Sequence, residues 1–297
     1  MFDWLGKGTS IDKLIARGQY ARAATLIRAE LRDGPKSARL LQKLAEVLVL
    51  TGENEKAVAV YHHLVDDFAN SGFFAKAIAI AKKIQRIDPE NSVIDAQLNS
   101  LIQTRDCEEA TSRAIKAKSL KPIIGDSDDD VDVDIVIDTE GFLDSDSEVS
   151  SGGSVFERAP LFQDMSPDQV MAVVSGLRLT TLDPGQIVVS EGQPGDSMFL
   201  LASGVVRVYV RAADGANREV RSIDQGDFFG EISLLTGVCR SATITAATPC
   251  ELLELTRDDL VAIARQHPHV TSIIEAFCVQ RSGSEEETVA RTGNSES

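Results

Sequence analysis

The feature that most constrains the fold of this chain is an acidic stretch that separates two parts of different pattern. From Asp126 to Glu148 there are 11 acidic residues and no basic one. Such a stretch buries too little apolar area to offset the entropy lost on ordering. The SSGGS that follows at Ser150–Ser154 is typical of a flexible joint. We therefore predict an acidic disordered linker over residues 105–154, between two folded domains.

Before this linker, apolar residues recur at spacings of three and four, which predicts helices. Gly18, Gly52 and Gly72 each precede an alanine by five residues, which indicates that one helix–turn–helix unit recurs. A glycine suits the end of a helix because it adopts the left-handed conformation without strain. Residues 1–104 are therefore predicted to form an all-α helical-repeat domain, with a generic bundle of helical hairpins as the alternative.

The recurring unit resembles the tetratricopeptide repeat. Gly18 and Gly52 are 34 residues apart, which is the period of that family. The segment GENEKAVAVYHHLV has the family's glycine, alanine and aromatic residue in order, and Asp88-Pro89 fits its closing turn. The resemblance is partial, because Gly52 and Gly72 are only 20 residues apart. It implies a concave helical surface that binds an unknown protein partner.

Charge and composition narrow the range of functions. The net charge of −16 divides into +2 for residues 1–103, −9 for residues 104–154 and −9 for the remainder. An acidic C-terminal domain repels a phosphate backbone, so we expect no nucleic-acid binding. No apolar run is long enough for a membrane span, no secretion signal is present, and the four scattered cysteines fit a reducing compartment. We expect a cytoplasmic protein without a metal site.

From Leu182 onward the pattern changes to short alternating segments between glycine-rich turns, which predicts strands. QIVVSE, SMFLLAS, VVRVYV and EVRSI have the length of barrel strands, and Asp214-Gly215 fits a hairpin tip. We predict a jelly-roll-like β-barrel with flanking helices over residues 155–281 and a disordered tail over residues 282–297. The predicted fold class is therefore multidomain α + β.

One segment of this domain, FFGEISLLTGVCRSATITA, carries groups suited to a cyclic nucleotide. Arg240 offers a permanent charge and a planar fork of donors that matches phosphate oxygens. Glu231 accepts hydrogen bonds only, so it can bind the free ribose 2′-hydroxyl while repelling further phosphates. Gly230 lets the backbone approach the sugar closely. The amides of Ser241 and Ala242, at the start of the next strand, are further donors.

This segment resembles the phosphate-binding cassette of the cyclic-nucleotide-binding domain family, which includes the catabolite activator protein and the regulatory subunits of cAMP-dependent protein kinase. The likeness extends from FERAPLFQDMSPDQV to CELLELTRDDLVAIARQHP. It implies that Glu231 holds the ribose hydroxyl, that Arg240 holds the cyclic phosphate and that Ser241 adds a hydroxyl. It also implies that Val208 and Val220 face the base. The predicted ligand-binding residues are Gly230, Glu231, Ile232, Arg240, Ser241, Ala242, Val208 and Val220.

We therefore predict a sensor of cAMP or cGMP that couples ligand binding to protein contacts of the helical repeats. A C-terminal helix, from about Arg257 to Arg281, is expected to shift and cap the base. The alternative is a scaffold protein whose barrel is a degenerate docking module without a ligand. No enzyme and no cofactor is expected, because no nucleophile–base pair, metal cluster or P-loop is found.

Overall fold

A computed structural model gives the fold of this protein. It describes residues 11–33, 37–91, 93–103, 160–162, 164–212, 214–276 and 278–279. The predicted linker (105–154) and tail (282–297) lie outside these residues. The chain divides into two compact units, one of Met1–Val60 with Gln103–Gly152 and the other of Tyr61–Ile102 with Gly153–Ser297.

Helices form the N-terminal part, as predicted. They span 11–16 (α1), Tyr20–Asp33 (α2), Ala38–Leu50 (α3), Asn54–Asn70 (α4), Phe74–Ile87 (α5) and 93–103 (α6). Gly18, Gly52 and Gly72 have φ angles of +69°, +80° and +78°. The amide after each glycine donates to the carbonyl five residues earlier, over 2.8–2.9 Å. The alanines five residues after these glycines are all fully buried. The same turn motif therefore occurs three times in the described residues. The resemblance to tetratricopeptide repeats stays a prediction.

The strands form two facing antiparallel sheets. They are Arg178–Leu182 (β1), Ile187–Val189 (β2), Ser197–Ser203 (β3), Val206–Arg211 (β4), Asn217–Ile223 (β5), Phe228–Phe229 (β6), Thr243–Ala246 (β7) and Cys250–Thr256 (β8). One sheet has the order β1-β8-β3-β6 and the other has the order β2-β7-β4-β5. The predicted barrel is therefore not closed. In the described residues no strand of one sheet pairs with a strand of the other, so each sheet keeps two edges.

The core of the sandwich lies between the sheets. Its members alternate along the strands, as expected where one face of a strand is buried. They are Val189, Phe199, Leu201, Val206, Val208, Ile223, Phe229, Ile244, Ala246, Cys250 and Leu252. The rings of Phe199 and Phe229 stack with centroids 5.3 Å apart. This stack connects β3 with β6, directly before the predicted ligand-binding segment.

One helix precedes the strands of the sandwich in sequence, one lies between β6 and β7, and two follow β8. They span Pro167–Gly176 (α7), Glu231–Thr236 (α8), Arg257–Gln266 (α9) and 269–276 (α10). A capping box begins α7, because the Ser166 hydroxyl accepts from the Gln169 amide and the Gln169 side chain accepts from the Ser166 amide. The predicted continuous helix from Arg257 is interrupted after Gln266, where Pro268 cannot donate a backbone hydrogen bond.

Helix α5 belongs to the same compact unit as the sandwich. Strand β3 is buried on both faces, and Met198, Leu200 and Ala202 point away from the core between the sheets. Because α5 packs against β3, β1 and β8, it covers that second apolar face. The sequence predicts domains over residues 1–104 and 155–281, and these bounds stay a prediction.

Polar contacts hold α5 against the sandwich. Lys83 Nζ lies 2.6 Å from Glu251 Oε1, and both side chains are only 13% exposed. The Arg86 guanidinium donates to the Leu179 carbonyl. The helix is thus joined to β8 through an ion pair and to β1 through a hydrogen bond.

We expect Lys83→Met to lower the free energy of unfolding by about 1–3 kcal/mol, because Glu251 would be left buried without its cation. Lys56→Met is the matched control, since the Lys56–Glu53 pair also spans 2.6 Å but Lys56 is 69% exposed. It should cost less than about 0.5 kcal/mol. Urea unfolding of the full chain, followed by circular dichroism, measures both variants. Equal losses would show that the α5–β8 ion pair does not stabilise the unit.

Candidate functional site

Arg240 is the central residue of the predicted site, and the structure buries it to 6% exposure. Its Nη1 donates to the carbonyls of Ser197 at 2.7 Å and Gly230 at 3.0 Å. Its Nη2 donates to the Ser197 hydroxyl oxygen at 3.1 Å. The guanidinium carbon lies 5.8 Å from the centroid of the Phe199 ring. A buried cation is therefore held by uncharged oxygens and an aromatic face.

The electrostatics of Arg240 follow from this burial. Loss of solvation lowers the pKa of Arg240, while the charges of Asp196, Glu254 and Glu231 act in the opposite direction. A guanidinium nonetheless stays charged at any physiological pH. The site thus carries a desolvated positive charge that nearby carboxylates only partly offset. Such a charge favours an added anion, because burying an uncompensated ion is costly.

Backbone hydrogen bonds fix the position of Arg240. Its amide donates to the Gln193 carbonyl, and its carbonyl accepts from the Gly192 amide, both over 2.8 Å. The Glu191 amide donates to Thr243 Oγ1 over 3.0 Å. These bonds attach the loop between β2 and β3 to the segment that leads into β7. Arg240 is therefore positioned by residues about 50 places earlier in the chain.

Two glycines allow the backbone to approach Arg240 closely. Gly230 precedes α8 with a φ of +85°, and a Cβ there would lie 2.5 Å from Arg240 Nη1 and 3.0 Å from the Ser197 carbonyl. A Cβ on Gly195 would lie 2.3 Å from Ser233 Cβ and 2.9 Å from Arg240 Nε. Neither position has room for a side chain. Sequence analysis identified Gly230 but missed Gly195 and Ser197, which lie outside the recognised segment.

The other predicted residues of the ligand-binding segment lie around this arginine. Glu231 is half-buried at the first position of α8 and interacts electrostatically with Arg240. Ile232 is 46% exposed on the same helix. Ser241 is exposed, and Ala242 is half-buried against the core between the sheets. The structure thus brings Gly230, Glu231 and Arg240 together, and the ligand contacts of all these residues stay predictions.

The two predicted base-side residues have different surroundings. Val208 is buried in the core between the sheets, whereas Val220 is 57% exposed. The β4–β5 pairing shifts between Val208 and Tyr209, so that Val208 faces Arg221 and Tyr209 faces Glu219. Val220 is the extra residue of this bulge. Arg221, which sequence analysis did not select, therefore takes the position opposite Val208.

Arg257 connects the segment to the following helix. At the first position of α9, its Nη2 donates to the Ser233 carbonyl of α8 over 2.7 Å. Its amide donates to the Asp196 carbonyl, also over 2.7 Å. Arg257 therefore joins the start of α9 to α8 and to the loop before β3. Nothing in the sequence around Arg257 indicated this connection.

Comparison with known proteins agrees with this geometry. Residues 179–267 match the family model of the cyclic nucleotide-binding domain. This range extends from the start of β1 to the end of α9 and contains Gly230, Glu231 and Arg240. This part of the chain is thus similar to cyclic nucleotide-binding domains.

Individual relatives match less than half of this chain. A cyclic nucleotide-gated potassium channel of Mesorhizobium japonicum is 34% identical over 124 residues, which are 42% of this chain and 33% of the channel. The cyclic AMP receptor protein of Thermus thermophilus is 32% identical over 123 residues, which are 41% of this chain and 57% of the receptor. The crystal structure of Thermus thermophilus catabolite activator protein has a TM-score of 0.41 at 30% identity, covering 45% of this chain and 63% of that one. The chain thus spans about a third of the channel and a little over half of the receptor.

Among the helices of the described residues, none combines the length and the hydropathy that crossing a bilayer requires.

Proposed function

We propose that this protein is a sensor that binds a cyclic mononucleotide, cAMP or cGMP, at Arg240. The observation that carries the proposal is the burial of the Arg240 guanidinium among uncharged hydrogen-bond acceptors. A cyclic phosphodiester has a single negative charge, which is what this desolvated cation needs as a partner. The relatives named above are described as cyclic nucleotide-gated and as a cyclic AMP receptor, and Arg240 lies within the residues that match the cyclic nucleotide-binding domain model.

The hydrogen bonds of Arg240 leave donors for the phosphate. A guanidinium has five N–H groups, and within the described residues three of them bind Ser197 and Gly230. The Nε–H and one Nη2–H remain for a ligand. Two parallel N–H groups of this kind match two oxygens of one phosphate. The same contacts with Ser197 and Gly230 keep the guanidinium from turning away, so the phosphate meets a preorganised donor pair.

Glu231 supplies the second part of the proposed site. Its carboxylate accepts hydrogen bonds only, so it suits a ribose hydroxyl and disfavours a second phosphate. A degenerate docking module is a weaker alternative, because such a module has no need for Gly230, Glu231 and Arg240 together.

We also propose that the protein is not an enzyme and works in the cytoplasm.

We further propose that the sensor acts through a protein partner of the helical repeats. Support comes from β3, which contacts both Arg240 of the proposed nucleotide site and helix α5. The Ser197 end of β3 binds Arg240, and the opposite face of the strand packs against α5. A ligand that shifts Ser197 would therefore change the surface on which α5 packs. By linkage, if nucleotide binding changes the affinity for the partner by some factor, the partner changes the affinity for the nucleotide by the same factor.

Isothermal titration of the full chain with cAMP and with cGMP tests the proposed binding. We expect a Kd in the micromolar range or below for at least one of them, which is about −8 kcal/mol or better. AMP is the control ligand, because its phosphate is a monoester that carries more charge and should be repelled by Glu231. If neither cyclic nucleotide binds at millimolar concentration, the proposal is wrong and the docking module becomes the better reading.

A further inference from the structure

The turn between β2 and β3 holds the backbone on both sides of Arg240. This turn closes where the Gln193 amide donates to the Ser190 carbonyl over 3.2 Å. Its third residue, Gly192, has a φ of +81°, which suits that position of a type II turn. The Gly192 amide donates to the Arg240 carbonyl, and the Gln193 carbonyl accepts from the Arg240 amide, both over 2.8 Å. Whatever fixes this turn therefore also fixes the point from which the Arg240 side chain begins.

Glu191, the second residue of this turn, is bound at two points. Its amide donates to Thr243 Oγ1 over 3.0 Å. Its Oε2 accepts from the Arg211 amide over 2.8 Å. Thr243 begins β7 and Arg211 ends β4. Glu191 therefore attaches the turn to two neighbouring strands, although its side chain is exposed.

The strand register explains why a side chain, and not the sheet, binds the Arg211 amide. Among the described residues, the pairing of β4 with β7 ends at Tyr209 and Thr243. The chain before Thr243 is not part of a strand, and it carries Arg240. Arg211 lies two residues beyond this last pair, so β7 does not supply an acceptor for its amide. The Glu191 carboxylate is that acceptor, and a charged acceptor makes a stronger hydrogen bond than a neutral one.

We infer that Glu191 is a positioning residue of the nucleotide site, which holds the turn that places Arg240 for the phosphate. This inference rests on the proposed function and adds a residue that acts through Arg240. The charge of Glu191 has the opposite effect, because a carboxylate near the site repels an anionic ligand. The hydrogen bond and the charge therefore predict affinity changes of opposite sign when Glu191 is replaced.

The test compares Glu191→Ala and Glu191→Gln with the unmodified full chain, by isothermal titration with cAMP and with cGMP. We expect Glu191→Ala to weaken binding by roughly 3- to 10-fold, because the turn loses its bond to β4. Glu191→Gln should stay within about twofold of the unmodified chain, since its amide oxygen still accepts from the Arg211 amide. If only the charge of Glu191 mattered, both variants would bind the nucleotide more tightly.

Thr248→Val is the matched control for a loss of stability alone. Thr248 Oγ1 accepts from the Val205 amide over 2.9 Å, which is the same kind of bond between a side chain and a strand-end amide. Val205 lies beyond the end of β3 that is opposite to Ser197, about 20 Å away along the strand. Urea unfolding should show a lower stability for both Thr248→Val and Glu191→Ala. Only Glu191→Ala should lose affinity for the nucleotide.

Hydrogen exchange of the unliganded full chain tests the position of the turn without a nucleotide. The amides of Gly192 and Arg240 bind across the contact between the turn and the Arg240 segment. Both amides should exchange faster in Glu191→Ala, by roughly 3- to 10-fold, because the turn separates more often from that segment. Their exchange should not change in Glu191→Gln or in Thr248→Val.

Several outcomes would overturn the inference. Unchanged or tighter binding by Glu191→Ala would do so, as would an equal loss of affinity in Glu191→Gln or in Thr248→Val. Unchanged exchange of the Gly192 and Arg240 amides in Glu191→Ala would show that Glu191 does not hold the turn. Failure of both cyclic nucleotides to bind the unmodified chain would instead refute the proposed function, and this inference with it.

Discussion

Replacing Arg240 with alanine should weaken cyclic-nucleotide binding by about 2–5 kcal/mol, or roughly thirty- to several-thousand-fold. The phosphate would lose the side-chain charge that faces it and keep only backbone donors. Stability should fall as well, by about 1–3 kcal/mol, because the buried carbonyl and hydroxyl oxygens of Ser197 would lose the hydrogen bonds that Arg240 donates. Titration calorimetry and urea unfolding of the full chain measure the two effects separately.

Two further variants make the Arg240 result specific. Arg178→Ala removes an arginine whose ion pair with Asp259 lies outside the site, so nucleotide affinity should not change. Glu231→Ala should weaken binding less than Arg240→Ala does, because it removes one hydroxyl contact and some repulsion toward the phosphate. If Glu231→Ala weakens binding while Arg240→Ala leaves it unchanged, the phosphate does not lie at Arg240 and the site is misassigned.

Replacing Gly230 with alanine should be nearly as damaging, for a steric reason. A non-glycine residue at a φ of +85° is strained, and its Cβ would lie 2.5 Å from Arg240 Nη1. Strain and overpacking together should lower the free energy of unfolding by about 2–5 kcal/mol. Because the guanidinium must move aside, nucleotide affinity should fall by roughly tenfold or more.

Gly215→Ala separates the strain from the clash. Gly215, in the turn between β4 and β5, has a φ of +81°, and a Cβ there would meet nothing within 4 Å. This variant should lose only the strain energy, about 1–2 kcal/mol, and keep its affinity for the nucleotide. Equal effects of Gly215→Ala and Gly230→Ala on stability and on affinity would show that Gly230 is not needed for the position of Arg240.

The helical turns and the central part of the site were readable from the sequence because both depend on residues near one another. The three glycine turns repeat one short pattern, and a helix end is decided by the few residues around it. Gly230, Glu231 and Arg240 lie within 11 residues, so the resemblance to a phosphate-binding segment could be recognised from one short stretch of sequence. The structure then brought these residues together around the Arg240 side chain.

The arrangement of the strands was harder to predict. The alternating pattern correctly indicated strands and predicted a jelly-roll-like barrel, whereas the pairing into two four-stranded sheets that do not close on each other came from the structure. Closure depends on which distant strands pair. Strand β8, for example, pairs with β1 and β3, which lie about 70 and 50 residues earlier. The alternation of side chains within one strand does not indicate which distant strand it pairs with.

The sequence by itself determined the local elements of this protein: the helix turns at its glycines, the strand pattern, and the residue types that suit a cyclic phosphate. Only the tertiary structure decided that Ser197 and Gly195 belong to the site, that α5 covers β3, and that a bulge places Arg221 opposite Val208. The physical reason is that these contacts join segments far apart in the chain. Burial and strand register then decide which side chains come together, and the sequence around each residue does not indicate its partner.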